Sequence, residues 1–134
     1  MGRVLALDHG SVRIGVAVSD AAGIAAHPRG HLSASGPVVE QVCELIAELE
    51  IERIVVGLPV SLDGSEGPSA AAARAFAAEI AEATGVPTEL VDERFTTAIA
   101  ERAMIETDTR RDRRRELRDG AAAAVLLQDW LERR

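Results

Sequence analysis

Two short apolar runs, RVLALD (residues 3–8) and RIGVAVS (13–19), are separated only by HGSV. Runs of that length with a glycine-bearing turn between them close as a β-hairpin, so the chain opens with two antiparallel strands. A third strand is expected between Gly23 and Ser33, where Pro28 and Gly30 interrupt the pattern. From Pro37 to Glu50, Val38, Val42, Leu45, Ile46 and Leu49 recur at three- and four-residue spacing, which predicts an amphipathic helix with Pro37 in its first turn. Glu52 to Gly57 is a continuous apolar run, as expected for a central strand covered on both faces. After the loop LPVSLDGSEGP, Ser69 is expected to cap an alanine-rich helix that runs to about Thr84 and closes at Gly85 and Pro87. Thr88 to Asp92 reads as a short strand, and Thr96 or Thr97 can cap a helix through Glu106. An arginine-rich linker then leads to a last helix from Glu116 to Glu132.

The order β-β-β-α-β-α-β-α-α implies an α/β fold: a mixed five-stranded sheet flanked by helices on both faces, as in the RNase H-like fold. At 134 residues, the chain is expected to be one domain spanning 1–134. The single Cys43 excludes an internal disulfide and a multi-cysteine zinc site; among Val42, Leu45 and Ile46 it reads as a buried core thiol. All 15 basic residues are arginines, so a P-loop and a Schiff-base enzyme both drop out for want of a lysine. Phe76, Phe95 and Trp130 are the only aromatics, too few for a base-stacking platform. The N-terminal segment MGRVLALDHG lacks the long apolar stretch of a secretory signal, which points to a cytoplasmic protein with no membrane association.

A formal net charge of −7 argues against indiscriminate nucleic-acid binding. The distribution says something different. RRDRRRELR, residues 110–118, holds six arginines against two acids in an otherwise acidic chain. Runs of this kind are commonly solvated loops, but this one directly precedes Asp119.

The acids carry the chemistry. Asp8 finishes a buried strand, where a carboxylate is costly unless it binds a cation or hydrogen-bond donors; a turn-capping role is the plain alternative. Asp92 and Glu93 end another strand, and because neighbours on a strand point to opposite faces, only one of them can share a site with Asp8. On the last helix, Asp119 falls on the inward stripe of Ala122, Ala123, Leu126, Leu127 and Trp130; a first-turn acid favoured by the helix dipole is the plain alternative there. Converging acids without cysteine or a histidine pair suit a hard cation, Mg²⁺ or Mn²⁺, and hence phosphodiester hydrolysis. Arg13, Arg94 and the 110–118 run, with Arg110, Arg111, Arg113 and Arg114 foremost, are candidates to hold the anionic substrate.

DHGSVRIGVAVSD, GLPVSLDGSEGP, DERFTT and DGAAAAVLLQ together resemble the YqgF/RuvX family, known as Holliday-junction resolvases or pre-16S rRNA nucleases. Four motifs in register span the chain from end to end. The resemblance implies the RNase H-like fold, a metal-binding acid triad at Asp8, Glu93 and Asp119, and maturation of the 5′ end of 16S rRNA as the activity. It also selects Glu93 over Asp92. His9 stands where the family often has an aromatic residue and Ser11 where it often has threonine; His9 reads as a turn-flanking side chain without a chemical role. In the loop, Asp63, Gly64, Ser65 and Glu66 lean toward substrate contact on the same resemblance.

A phosphotransferase of the actin and sugar-kinase type also opens with an acid-glycine-hydroxyl hairpin. Such an enzyme needs a second domain to enclose ATP, and this chain has no room for one. A non-catalytic nucleic-acid-binding factor is the other competing reading, and metal dependence separates it from a nuclease. The expected partners are nucleic acid, as precursor rRNA or branched DNA, and the small-subunit precursor, with either a monomer or a homodimer acting.

Overall fold

A computed structural model describes residues 2–61, 63–93 and 111–134, the last stretch with side chains from residue 120 onward. The described elements are β1 (Arg3–His9), β2 (Arg13–Ser19), β3 (Ala26–Ser33), α1 (Val38–Leu49), β4 (Ile51–Leu58), α2 (Pro68–Thr84), β5 (Thr88–Asp92) and α3 (Arg111–Arg133). The strands form one five-stranded sheet in the order β3-β2-β1-β4-β5. β1 pairs antiparallel with β2, and β2 with β3, whereas β1–β4 and β4–β5 are parallel. The sheet is therefore mixed and has helices on both faces, as the element order implied.

Side-chain alternation along the strands builds two different cores. Leu5 and Leu7 of β1, Ile14 and Val16 of β2, and Ile54 and Val56 of β4 pack with Val42 of α1 and Phe76, Ala77 and Ile80 of α2. The intervening residues Val4, Ala6, Ala17 and Val55, with Val91 of β5, pack with Ala123, Leu126, Leu127 and Leu131 of α3. Val4 through Leu7 are almost wholly buried because both faces of β1 are covered.

Several local expectations are corrected. β4 is an interior strand, but β1 is the central one, because the parallel strands add on one side of it and the hairpin on the other. β3 does form through Pro28 and Gly30: it is an edge strand, where a residue without an N–H is tolerated, and the register slips between Gly15 and Ala17 of its partner. The N-cap of α2 is Gly67, with Pro68 in the first turn, so Ser69 lies inside the helix rather than capping it. Likewise Pro37 is the N-cap of α1 and Val38 opens the helix. Cys43 is exposed, because it sits one step around α1 from the inward Val42.

The largest correction concerns the arginine run. Residues 111–115, expected as linker before a helix starting at Glu116, are already part of α3, which begins at Arg111. Arginine, glutamate and leucine are good helix formers, and no glycine or proline interrupts the segment. Charge density alone had suggested a loop. The helix expected from Thr96 or Thr97 to Glu106 lies outside the described residues.

Candidate active site

Strand parity places the acids. In β1, Val4 and Ala6 face α3, so Asp8 faces the same side at the strand's far end. In β5, Val91 faces α3 and Leu90 packs on the opposite side, so Glu93 continues the side of Val91 and Asp92 that of Leu90. Glu93 is 2% exposed, one of only two buried polar residues among those described, and its backbone N–H donates to the Leu58 carbonyl at 3.1 Å.

Glycines make room beside both acids. Asp8 pairs directly with Gly15 on β2, and Gly15 pairs in turn with His31 on β3. A Cβ placed on Gly15 would lie 3.5 Å from the Asp8 Cβ and 3.7 Å from the Gly120 Cα. On β4, a Cβ on Gly57 would fall 2.9 Å from Glu93 Cδ, 3.0 Å from its Oε1 and 3.1 Å from Leu126 Cδ2. Any side chain at position 57 would thus displace the buried carboxylate. His31, Gly15, Asp8, Gly57 and Glu93 line one face of the sheet, carboxylates alternating with glycines.

The α3 backbone reaches the same place. Gly120 has φ +91°, and a Cβ there would lie 2.5 Å from the Val16 carbonyl oxygen and 3.0 Å from that of Gly30. Only glycine allows this helix to sit so closely on β2 and β3. Asp119, whose side chain lies outside the described residues, immediately precedes Gly120 in the chain. Gly120 and Ala123 are the small residues that permit this approach.

An open cleft of about 310 Å³ gathers Asp8, Arg13, His31, Ser69 and Glu93 with His9, Gly10, Gly15 and Pro59. Of the residues singled out in the sequence, Asp8, Glu93 and Arg13 meet here. Arg94 and Arg110 lie outside the described residues, and Arg111, Arg113 and Arg114 lie in the first turn of α3, their side chains likewise outside. His31, Ser69, Gly15 and Gly57 escaped the sequence reading. The pairing register is what brings His31 opposite Gly15, and no local pattern reports it.

Among the described residues, no group of three metal-ligating side chains occurs. The two cleft acids nevertheless fit a hard divalent cation: both present oxygen, and one is a buried carboxylate, which is costly to desolvate without a compensating positive charge. In the loop before α2, Glu66 is engaged by Arg74, whose Nε–H and Nη2–H donate to its two carboxylate oxygens at 2.7 and 2.8 Å. These hydrogen bonds hold the Glu66 carboxyl below the ordinary glutamate range. Asp63 Oδ1 accepts the Ser65 N–H at 2.9 Å. The loop's polar groups thus form a turn and a clamp. His9 packs on the opposite side of the sheet, its ring 4.8 Å from that of Phe76.

Comparisons with known proteins establish the family and the fold. The family model for RuvX, described as Holliday junction resolvase, matches residues 2–133. A protein of Pelotomaculum thermopropionicum named as a candidate pre-16S rRNA nuclease is 44% identical over 133 residues, covering 97% of this chain and 86% of its own length. A protein of the same name from Myxococcus xanthus is 43% identical over 135 residues, covering 97% of this chain and 87% of its own. Among solved structures, Thermus thermophilus RuvC in complex with a Holliday junction substrate superposes with a TM-score of 0.58 at 15% identity, covering 99% of this chain and 96% of that one. A second structure of Thermus thermophilus RuvC gives a TM-score of 0.54 at 16% identity, over 98% and 95% of the two chains. At such identities the structural likeness speaks for the fold alone, which is RNase H-like.

Proposed function

Because this chain belongs to the RuvX family, we propose that it is a single-domain, metal-dependent nuclease whose site is formed by Asp8, Glu93 and Asp119 and whose substrate is the 5′ end of precursor 16S rRNA. The observation that carries the reading is the buried Glu93 carboxylate over Gly57, on the face and at the sheet end that also present Asp8. A buried acid with glycine beside it is poor packing and a good cation ligand. The choice of rRNA follows the names borne by relatives more than 40% identical over nearly the whole chain.

Asp8 and Glu93, joined by Asp119 from α3, would hold Mg²⁺ or Mn²⁺. When bound, such an ion activates water for attack on phosphorus and stabilises the charge that develops on the leaving oxygen. The protein's own groups do the rest. Arg13, exposed at the mouth of the cleft, binds a phosphate next to the cleaved one. Gly57 leaves the room that the Glu93 carboxylate fills, and Gly15 lets α3 approach beside Asp8. Arg111, Arg113 and Arg114, in the first turn of α3, are the candidates to contact flanking phosphates. The place of action in this reading is the cytoplasm, on the small-subunit precursor; no helix among the described residues is long and apolar enough to cross a membrane.

The family description and the RuvC-like fold favour a second reading, cleavage of four-way DNA junctions. Purified protein given Mg²⁺ or Mn²⁺ and, in parallel, a precursor 16S rRNA end and a four-way junction decides between them. The rRNA end is expected to be cut and the junction left whole. Glu93→Gln should end the cleavage while leaving the fold intact, and Asp92→Asn should do far less, since Asp92 faces the other side of β5. Cleavage of neither substrate with either metal would leave the non-catalytic binding factor as the better account.

A further inference from the structure

His31, on the edge strand β3, lines the acid cleft together with Asp8, Glu93 and Arg13. The strand register fixes its place. Asp8 pairs with Gly15 and Gly15 with His31, so the three form one row across β1, β2 and β3. Directly opposed residues of antiparallel strands share a face, and a Cβ at Gly15 would lie 3.7 Å from that of Ala123 in α3. His31 therefore stands on the acids' side of the sheet. It is level with Asp8 and two strand spacings from it, roughly 9–11 Å between Cα atoms, with a glycine as the residue between them. Arg13 pairs with Ser33, two residues nearer the hairpin turn, and so sits one row further out.

We propose that His31 is a catalytic residue of this cleft: its imidazole N–H donates a hydrogen bond to a non-bridging oxygen of the phosphate that is cut, across the row from Asp8. The inference rests on the nuclease reading above and adds a residue to it. Chemistry separates its part from those of its neighbours. Hard cations such as Mg²⁺ and Mn²⁺ prefer carboxylate oxygens, which Asp8 and Glu93 supply, whereas an imidazole N–H suits an anionic phosphate oxygen. Arg13, a row away from the acids, takes the neighbouring phosphate. His9 also borders the cleft, but its ring packs on Phe76 on the opposite side of the sheet. His31 is exposed at the open flank of the sheet, where a substrate strand can reach it. In the reaction a water oxygen bonds to phosphorus as the bond to the leaving ribose oxygen breaks, and the proton that the water gives up goes to that oxygen. His31 keeps its own proton, and a neutral imidazole already carries the N–H required. Charge is spread over the non-bridging oxygens in the transition state, so a donor fixed beside them lowers the barrier.

Steady-state kinetics in Mg²⁺ test the assignment, on the precursor 16S rRNA end or on the four-way junction if that is what the parent cuts. His31→Ala should lower kcat by about 100-fold and leave KM within about twofold, the mark of an interaction made in the transition state. His31→Gln, whose carboxamide also offers an N–H, should recover about tenfold of that loss. Arg13→Gln should show the opposite split, a raised KM with a smaller fall in kcat. Because His31 is exposed on an edge strand, the thermal midpoint of its variants should scarcely move, and Mn²⁺ should raise it as much in His31→Ala as in the parent. A His31→Ala protein with the parent's kcat, or equal losses in His31→Ala and His31→Gln, would overturn the assignment. So would an Mn²⁺ response abolished by His31→Ala, which would make His31 a ligand of the cation. Where the parent cuts its substrate, such a failure is confined to His31. If the parent cuts neither substrate, the nuclease reading falls and the part of His31 falls with it.

Discussion

The two faces of one sheet are built on opposite plans. Toward α1 and α2, β1, β2 and β4 present leucine, isoleucine and valine, large side chains that close-pack with Val42, Phe76 and Ile80. Toward α3 the strands present Val4, Val55 and Val91 but also the small Ala6, Ala17, Gly15 and Gly57, and at the end of this face come Asp8 and Glu93. The first face uses volume to fix the fold. The second gives up volume so that a helix backbone can approach and acids can sit in an otherwise apolar layer. Stability and chemistry are thereby divided between faces that share every strand.

The sharpest way to break this division is to add bulk on the second face. Gly57→Val forces Glu93 and Leu126 apart, and a displacement of about 1 Å in a catalytic group costs roughly 100-fold in rate. Cleavage by this variant should fall by about that factor or more, measured as kcat on the precursor rRNA end. Removing bulk from the first face should do the reverse. Leu7→Ala should lower unfolding free energy by about 2–5 kcal/mol in denaturant titrations, while kcat of the protein that remains folded holds. A Leu7 variant that keeps its stability and loses turnover would erase the distinction.

How much of this plan can be read in the chain depends on the physics involved. The opening hairpin, the α2 boundary at Thr84 and the β5 segment follow from local alternation and turn chemistry, and the structure has them there. The choice between Asp92 and Glu93 does not, because Leu90 and Val91 are both apolar and leave the strand without a polar face to orient by; only packing on opposite helices separates them. His31 enters the cleft through the pairing of β2 with β3, a non-local fact across a slipped register. The arginine run misled because charge density suggested solvation while helix propensity settled the backbone.

That correction sharpens a further expectation. Since the run is helical, Arg111, Arg113 and Arg114 should be exchanged for glutamine, which preserves helix propensity. The slope of log affinity against log salt for precursor rRNA should flatten by about one unit for each arginine–phosphate pair removed. An unchanged slope would return these arginines to a solvated helix end. The smallest effect is expected at the loop clamp. Glu66 and Arg74 are exposed, so Glu66→Gln should scarcely move the thermal midpoint. The Glu66 pKa is lowered in the folded state, so the clamp's slight contribution is present above the ordinary glutamate pKa and disappears as pH falls through the lowered value. The pH dependence of the midpoint in parent and variant should diverge only on the neutral side of that window.

The central claim, that the acids of the second face form a cation site, is tested most directly by the melting temperature of the parent and of Glu93→Gln with and without Mn²⁺. A bound ion stabilises the folded state alone, by about 2.7 kcal/mol at a hundredfold excess over its dissociation constant. The parent should therefore melt several degrees higher in Mn²⁺. Glu93→Gln, which lacks the charged ligand, should gain little when the metal is added. A parent that does not respond to Mn²⁺, or a variant that responds equally, would contradict the account.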